Sequence, residues 1–444
     1  MSIWSEGQCR EILARVVALS KADECTARLA GTVRGNIRFA LNKVTTSGVV
    51  SDVDLVVQVA YGKRVGTATI NQFDSESLER AVRRAEELAR LAPDNDEFMP
   101  ALEKQAYAST PTYDASIAAI TPEYRAGVAT ASIGPCRADR LIAAGFLTDE
   151  VMMSAFANSK GNSGYQKATG FDYTCTVRTE DGSGSGWVGS NVGAVERFDA
   201  GAAIRTAIAK AKGSSGARAL DPGKYTVILE PAAAAGLVAP MIAGFDARQA
   251  DEGRNFLARK GGGNRLGDKV FDERVSIYAD PADADVPALP WDQEGLPRER
   301  LSFVDKGRVA SLQYSRYWAR QKNAKASGAP GNVIMAGGQK STSELIKSAR
   351  KAVLVTRTYY IRMVDPQTLL LTGLTRDGTF YIENGEIAYP VKNFRFNESP
   401  VIMLNNIEEL GKPVRVADDE SLFRMMIPPM TVREFTFSSL SDAV

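Results

Sequence analysis

An α+β fold in two domains is expected, and three observations predict it. The chain has 444 residues, more than one core usually holds, so at least two domains follow. In the first half, period-two strand patterns and amphipathic helices come in an order that occurs twice. In the second half, β runs dominate and helices are few. The expectation is an N-terminal domain (residues 1–221) of duplicated antiparallel strand–helix units, and a large β-rich C-terminal domain (222–444) with a few helices.

Ser5 and Gln8 have the spacing of a capping box. Cys9, Ile12, Leu13, Val16 and Leu19 then recur at helical spacing, which predicts an amphipathic helix over 5–21. From Glu24 to Gln72 the period becomes two, as in Asp54-Leu-Val-Val-Gln-Val-Ala-Tyr61. With Gly35, Gly48, Gly62 and Gly66 as turn candidates, this reads as an antiparallel meander. Asp74 or Ser75 caps the next helix, and Glu76 and Glu79 favour its positive end. Leu78, Ala81, Val82, Ala85, Leu88 and Ala92 line its buried face, and Pro93 ends it.

A connector over 94–148 follows, rich in Pro, Ala, Ser and Thr up to 121 and helical from Pro122 to Ala144, with an interruption near Gly134-Pro135. The first unit (5–93) then has a counterpart over 149–213. Asp149-Glu150 stands 126 residues after Asp23-Glu24, and Phe198-Asp199 stands 125 after Phe73-Asp74. Each Phe-Asp pair precedes a helix, the second with Ala202, Ala203, Ile204, Ala207, Ile208 and Ala211 on its face. An internal duplication is the reading.

The C-terminal region opens near Asp221-Pro-Gly with a buried-strand run, Thr226 to Leu229. Pro231 begins an alanine-rich helix, where its missing N–H costs nothing. Leu237, Val238, Met241 and Ile242 share one face, while Ala232 to Ala235 and Gly236 keep the other small. Val275 to Tyr278 reads as a strand, Phe303 to Val309 as a hairpin and Tyr314 to Lys322 as a helix. β runs follow at 352–360, 368–374 and 378–393, with Asn384-Gly385 suited to a type I′ turn, and Thr431 to Phe437 is the last strand.

Composition removes many chemistries. Lys+Arg number 54 against Asp+Glu 53, without a basic stripe, so nucleic acid is not an expected partner. No apolar run reaches a membrane span of about 18 residues, and the N-terminus lacks a signal-peptide pattern, so a cytoplasmic location is expected. Histidine is absent, which removes Ser-His-Asp triads, Cys-His dyads and histidine metal sites. Cys9, Cys25, Cys136 and Cys175 are dispersed and read as buried apolar residues. The glycine runs 181–186 and 261–263 read as loops rather than phosphate cradles, and Tyr314, Tyr317, Trp318, Tyr359 and Tyr360 as packing. Asp251-Glu252 and Asp418-Asp419-Glu420 lack the spacing of a cation loop.

Several C-terminal stretches resemble the TldD/TldE (PmbA) family of metalloprotease-related proteins, also called modulators of DNA gyrase. They are the strand and helix at 226–244, Arg254-Asn-Phe-Leu257, Val275 to Pro281, Asp292-Gln-Glu-Gly-Leu-Pro297, Gly328-Ala-Pro-Gly-Asn332 and, above all, Thr375 to Phe394 with Ile382-Glu-Asn-Gly385 and Pro390-Val-Lys392. The match covers most of 222–437; the first half agrees in architecture more than in sequence. The catalytic members of that family carry His-Glu-x-x-x-His on this helix, with a cysteine near the C-terminus as third zinc ligand. Aligned to them, this chain has Ala239, Pro240 and Gly244 in those places, and Arg415 near the cysteine position.

The resemblance therefore implies the TldE/PmbA-like branch: no catalytic residue, no metal and no cofactor in this chain. It implies a heterodimer with a TldD-like subunit that supplies zinc, with unfolded peptide as substrate. Two alternatives stand beside it: a homodimeric peptide-binding protein without protease activity, and a hydrolase with a carboxylate metal site.

Overall fold

The computed structural model describes residues 3–417 and 424–441. Its first half builds one six-stranded antiparallel sheet with helices on one face. The first unit comprises α1 (Glu6–Leu19), β1 (Glu24–Ala40), β2 (Lys43–Tyr61), β3 (Arg64–Ile70) and α2 (Ser75–Leu91). After the short α3 (Ala115–Ala118), a second set has the same order: α4 (Pro122–Ala138), β4 (Leu141–Asn158), β5 (Ser163–Thr179), β6 (Ser185–Asn191) and α5 (Ala200–Gly213). The strand order β3-β2-β1-β4-β5-β6 puts β1 and β4 side by side at the centre, so one set mirrors the other. α1 has its capping box, with Ser5 Oγ accepting from Gln8 N, and Asp74 and Asp199 cap α2 and α5.

Two details differ from the sequence reading. The helix expected to Ala144 ends at Ala138, and β4 starts at Leu141, so Asp149-Glu150 lies within a strand. Arg140, at φ 54°, makes the reversal in the left-handed region. The run Leu141-Ile-Ala-Ala144 is apolar enough to suit either period, which hid the boundary. The second set thus begins at Pro122, within the stretch read as connector.

Gly35, Gly48 and Gly66 are not turns. The β1–β2 turn is Leu41-Asn42, at φ 49° and 59°. Gly66 instead lets β3 approach the α2 backbone at Ala85 and Ala89. Gly35 lies opposite Asp149 in the β1–β4 register, and the Arg125 guanidinium occupies the space its side chain would take. Arg125, on α4, donates to both Asp149 oxygens at 2.5 and 2.7 Å, and both residues are buried.

The second half opens with β7 (Gly223–Leu229) and α6 (Pro231–Ala243). In the larger sheet β7 sits between Met430–Leu440 and Lys351–Val355. That sheet continues on one side through Phe394–Glu398 and Leu370–Thr375 to the edge strand Thr358–Asp365, and on the other through Thr379–Glu383 to Glu386–Pro390. Asn384 and Gly385, at φ 53° and 82°, make the expected tight turn. A six-stranded sheet runs Arg308–Val309, Leu301–Asp305, Ile277–Ala279, Asn332–Met335, Arg424–Ile427, Val414–Val416. The fold is α+β, with a β-rich C-terminal half.

The Arg125–Asp149 pair gives a direct test. Asp149→Ala leaves a buried guanidinium without its carboxylate, and such losses cost about 3–5 kcal/mol. Urea unfolding should show a loss of that order, and Gly35→Ala should also destabilise because the added Cβ meets Arg125.

Candidate functional site

The site is organised around α6. Among its residues Ala233, Ala234, Ala235, Leu237, Val238, Met241 and Ile242 are buried, in the largest apolar cluster of the protein. The helix packs against Thr358–Asp365, Val414–Val416 and Arg424–Ile427, and so touches both C-terminal sheets. Small residues allow the approach: a Cβ on Gly236 would lie 2.6 Å from Thr358 Oγ1 and 2.8 Å from Ile361 Cδ1. Thr358 Oγ1 donates to the Ala233 carbonyl at 3.1 Å, tying strand to helix.

Ala239 and Pro240 lie in the last turns of α6, half-buried, and the helix continues through Pro240 to Ala243. Proline has no N–H to offer the Gly236 carbonyl one turn back. Gly244 is the C-cap, in right-handed conformation at φ −84°. A Cβ on Gly244 would start 2.9 Å from Phe256 Cε1, so an aromatic ring stands where a longer side chain would go. That ring packs on Phe245, which packs on Phe303, at centroid distances of 5.9 and 5.4 Å. Asn255 Nδ2 donates to the Gly244 carbonyl at 2.7 Å and fixes the helix end.

Arg415 lies on Val414–Val416, one of the strands packed against α6. Its guanidinium donates to Asn191 Oδ1 on β6 and to the Asp285 carbonyl at 2.7 Å. Arg424, on the adjacent strand, donates to the Thr169 carbonyl of β5 at 3.1 Å. Burial lowers the Arg415 pKa to about 10, with the Arg424 charge adding to the effect. Burial also lowers that of Arg424. Asp172, on β5, is raised by desolvation although Asn191 and both arginines act the other way. Three of the four aligned positions lie at the end of α6 and the fourth on a strand packed against it, and methyl, pyrrolidine, hydrogen and guanidinium groups offer no lone pair to a cation. The residues do not fit a zinc ion. Among the described residues no three His, Cys, Asp or Glu side chains come together as metal ligands.

The other motifs build scaffold. Asp292 Oδ1 accepts from Glu294 N and Leu296 N at 2.9 and 3.0 Å, shaping a turn through Gly295 at φ 74°. Tyr107 Oη donates to the Gly295 carbonyl at 2.7 Å, and Trp291 packs on Phe156 of β4, so this block joins the two halves. Asn332 is buried and donates to the carbonyls of Asp280 and Val286 at 2.6 and 2.5 Å. Sequence reading did not find this junction, since its partners lie more than a hundred residues apart; Trp291 beside the turn was the available signal. Asp251 is bonded to Trp318 Nε1 at 2.9 Å and paired with Lys322, while Glu252 is held by Arg248 and Arg254. Asp418-Asp419-Glu420 lies outside the described residues. All four cysteines are buried, and desolvation pushes Cys9, Cys25 and Cys136 up to about 11 and Cys175 to about 12.

Residues 222–439 match the model of the PmbA/TldA metallopeptidase C-terminal domain, and 25–89 that of PmbA/TldA metallopeptidase domain 1. The chain belongs to the TldD/TldE (PmbA) family. It is 22% identical over 436 residues to the metalloprotease PmbA of Escherichia coli O157:H7, covering 94% of this chain and 93% of that protein. A metalloprotease of Archaeoglobus fulgidus is 27% identical over 164 residues, 34% of this chain and 37% of the relative. The crystal structure of TldE from Thermococcus kodakarensis superposes with a TM-score of 0.87 at 16% identity, covering 97% of this chain and 99% of that one. No helix of the described residues is long and apolar enough to cross a membrane.

Two measurements probe this region. Arg415→Ala removes one hydrogen bond between the halves, to Asn191, and one within the C-terminal half, to the Asp285 carbonyl, and should lower stability by about 1–3 kcal/mol in urea. A thiol reagent such as DTNB should leave the native cysteines unmodified and titrate all four only after unfolding; fast reaction of the folded protein would contradict the placement.

Proposed function

We propose that this chain is a non-catalytic, TldE/PmbA-like subunit of a metalloprotease acting on unfolded peptides. It supplies cavity wall and interface, and a TldD-like partner with His-Glu-x-x-x-His supplies zinc and the general base. The observation that carries the reading is α6: the helix is kept, deeply buried, while Ala239, Pro240, Gly244 and Arg415 supply no metal donor. The relative in Escherichia coli is named a metalloprotease, which supports peptide-bond hydrolysis as the chemistry of the assembly.

A strand beside α6 supports peptide as ligand. Thr358–Asp365 is a sheet edge, with Tyr360, Met363 and Val364 exposed on it at 53%, 46% and 55%. A peptide added to an edge binds through its backbone, so selection rests on extended shape more than on side chains.

Co-purification with a zinc-bearing family member, followed by cleavage of an unfolded peptide, tests the proposal. Activity should require both chains and be lost with a chelator. Chelator-sensitive cleavage by this chain alone would sink the non-catalytic assignment and favour a carboxylate site. A stable self-dimer that binds peptide and ignores every zinc-bearing relative would favour the stand-alone binding protein.

A further inference from the structure

The edge strand Thr358–Asp365 is not regular. Its register with Leu370–Thr375 shifts between Tyr359 and Arg362, which marks a bulge. Tyr360 sits there at φ 55°, a left-handed conformation that a bulky residue rarely takes. In a regular strand, neighbouring side chains point to opposite faces. Here the centroids of the Tyr359 and Tyr360 rings are 6.4 Å apart, so the bulge turns both rings toward one side. Strain of this kind persists only where the surroundings hold it, and it gathers at binding sites.

Arginines stack on these rings. Arg376 Cζ lies 4.3 Å from the Tyr359 centroid, and Arg362 Cζ 4.1 Å from that of Tyr360. Arg357 Cζ stands 4.4 Å from the Trp187 centroid on β6 and 5.7 Å from that of Tyr359, which carries the row to the N-terminal sheet. A guanidinium lying on a ring keeps its N–H edge for a planar acceptor. The nearby carboxylates are engaged elsewhere in the fold. Asp377 is buried, accepts from Ser185 Oγ at 2.6 Å, pairs with Arg357 at 3.2 Å and approaches Arg376 at 4.0 Å. Asp365, at the far end of the strand, accepts from the amides of Gln367 and Thr368 at 3.1 and 3.2 Å. Arg362 is exposed and donates to the Ile361 carbonyl at 2.7 Å; it pairs with no carboxylate among the described residues.

We propose that this bulge makes the edge selective for acidic peptides. An extended chain paired along Thr358–Asp365 passes its side chains over Tyr360 and Arg362. An Asp or Glu there meets a guanidinium already held against a ring, whose fork of N–H groups matches both carboxylate oxygens. The stacking holds the arginine beforehand, so less side-chain freedom is lost on binding. The inference rests on the reading of this edge as a peptide site, and it adds a charge preference to selection by extended shape.

Fluorescence anisotropy of a labelled unfolded peptide, titrated with the full chain, tests this. Three versions are compared: Asp and Glu at alternate positions, Asn and Gln in their places, or Lys in their places. At low salt the acidic version should bind about tenfold tighter than the amide version, and the gap should close as added salt screens the charges. Arg362→Glu should remove that preference and turn it toward the lysine version. Arg15→Glu, the same charge change at an exposed position of α1, should leave it in place. Circular dichroism should show both variants folded. Equal affinity for the acidic and amide versions overturns the charge preference while the edge stands as a peptide site. Equal loss of the preference in both variants also overturns it, since net charge then explains the effect. Failure of all three versions to bind removes the peptide reading of the edge, and this preference with it.

Discussion

The C-terminal half depends on one helix held between two sheets. α6 can lie there because one side is built from Ala and Gly, and Gly236 lets Thr358 reach the helix backbone at Ala233. A larger residue at that position would push the edge strand away, and with it the order of the larger sheet. The helix also receives Val414–Val416 and Arg424–Ile427, which carry the two arginines into the N-terminal sheet. Packing at α6 and contact between the halves are therefore linked through these two adjacent strands.

Position matters as much as residue type in what became of the family's metal-binding places. Pro240 is a poor helix residue, yet the helix continues through it to Ala243 because burial of Leu237, Val238, Met241 and Ile242 outweighs local propensity. The room an imidazole would need at 244 is taken by the Phe256 ring. At this end of the helix apolar packing takes the space that a longer side chain at 244 would need.

Much of this was legible in the sequence because it is local. Ser5 and Gln8, Pro231, and Asn384-Gly385 each act within a few residues, and each set the expected element. The errors were of two physical kinds. Gly35, Gly48 and Gly66 suggested turns, but Gly35 makes room for Arg125 and Gly66 for a helix backbone, and a single sequence does not separate these uses. Leu141 to Ala144 fits either period, so the α4–β4 boundary rested on Arg140 adopting φ 54°, which its residue type does not announce. Around α6, the aligned positions could be named from the sequence. The Phe256 ring and the arginine bonds to Asn191 and Asp285 could not, because they join distant segments.

The thiols carry a last consequence. Zinc binds thiolate, not thiol, and burial keeps all four cysteines protonated far above neutral pH. With histidine absent as well, the chain offers such cations neither an imidazole nor a ready thiolate. A protein of this make-up can sit against a metalloenzyme without acting as a competing chelator, so scarce zinc stays with whichever neighbour uses it.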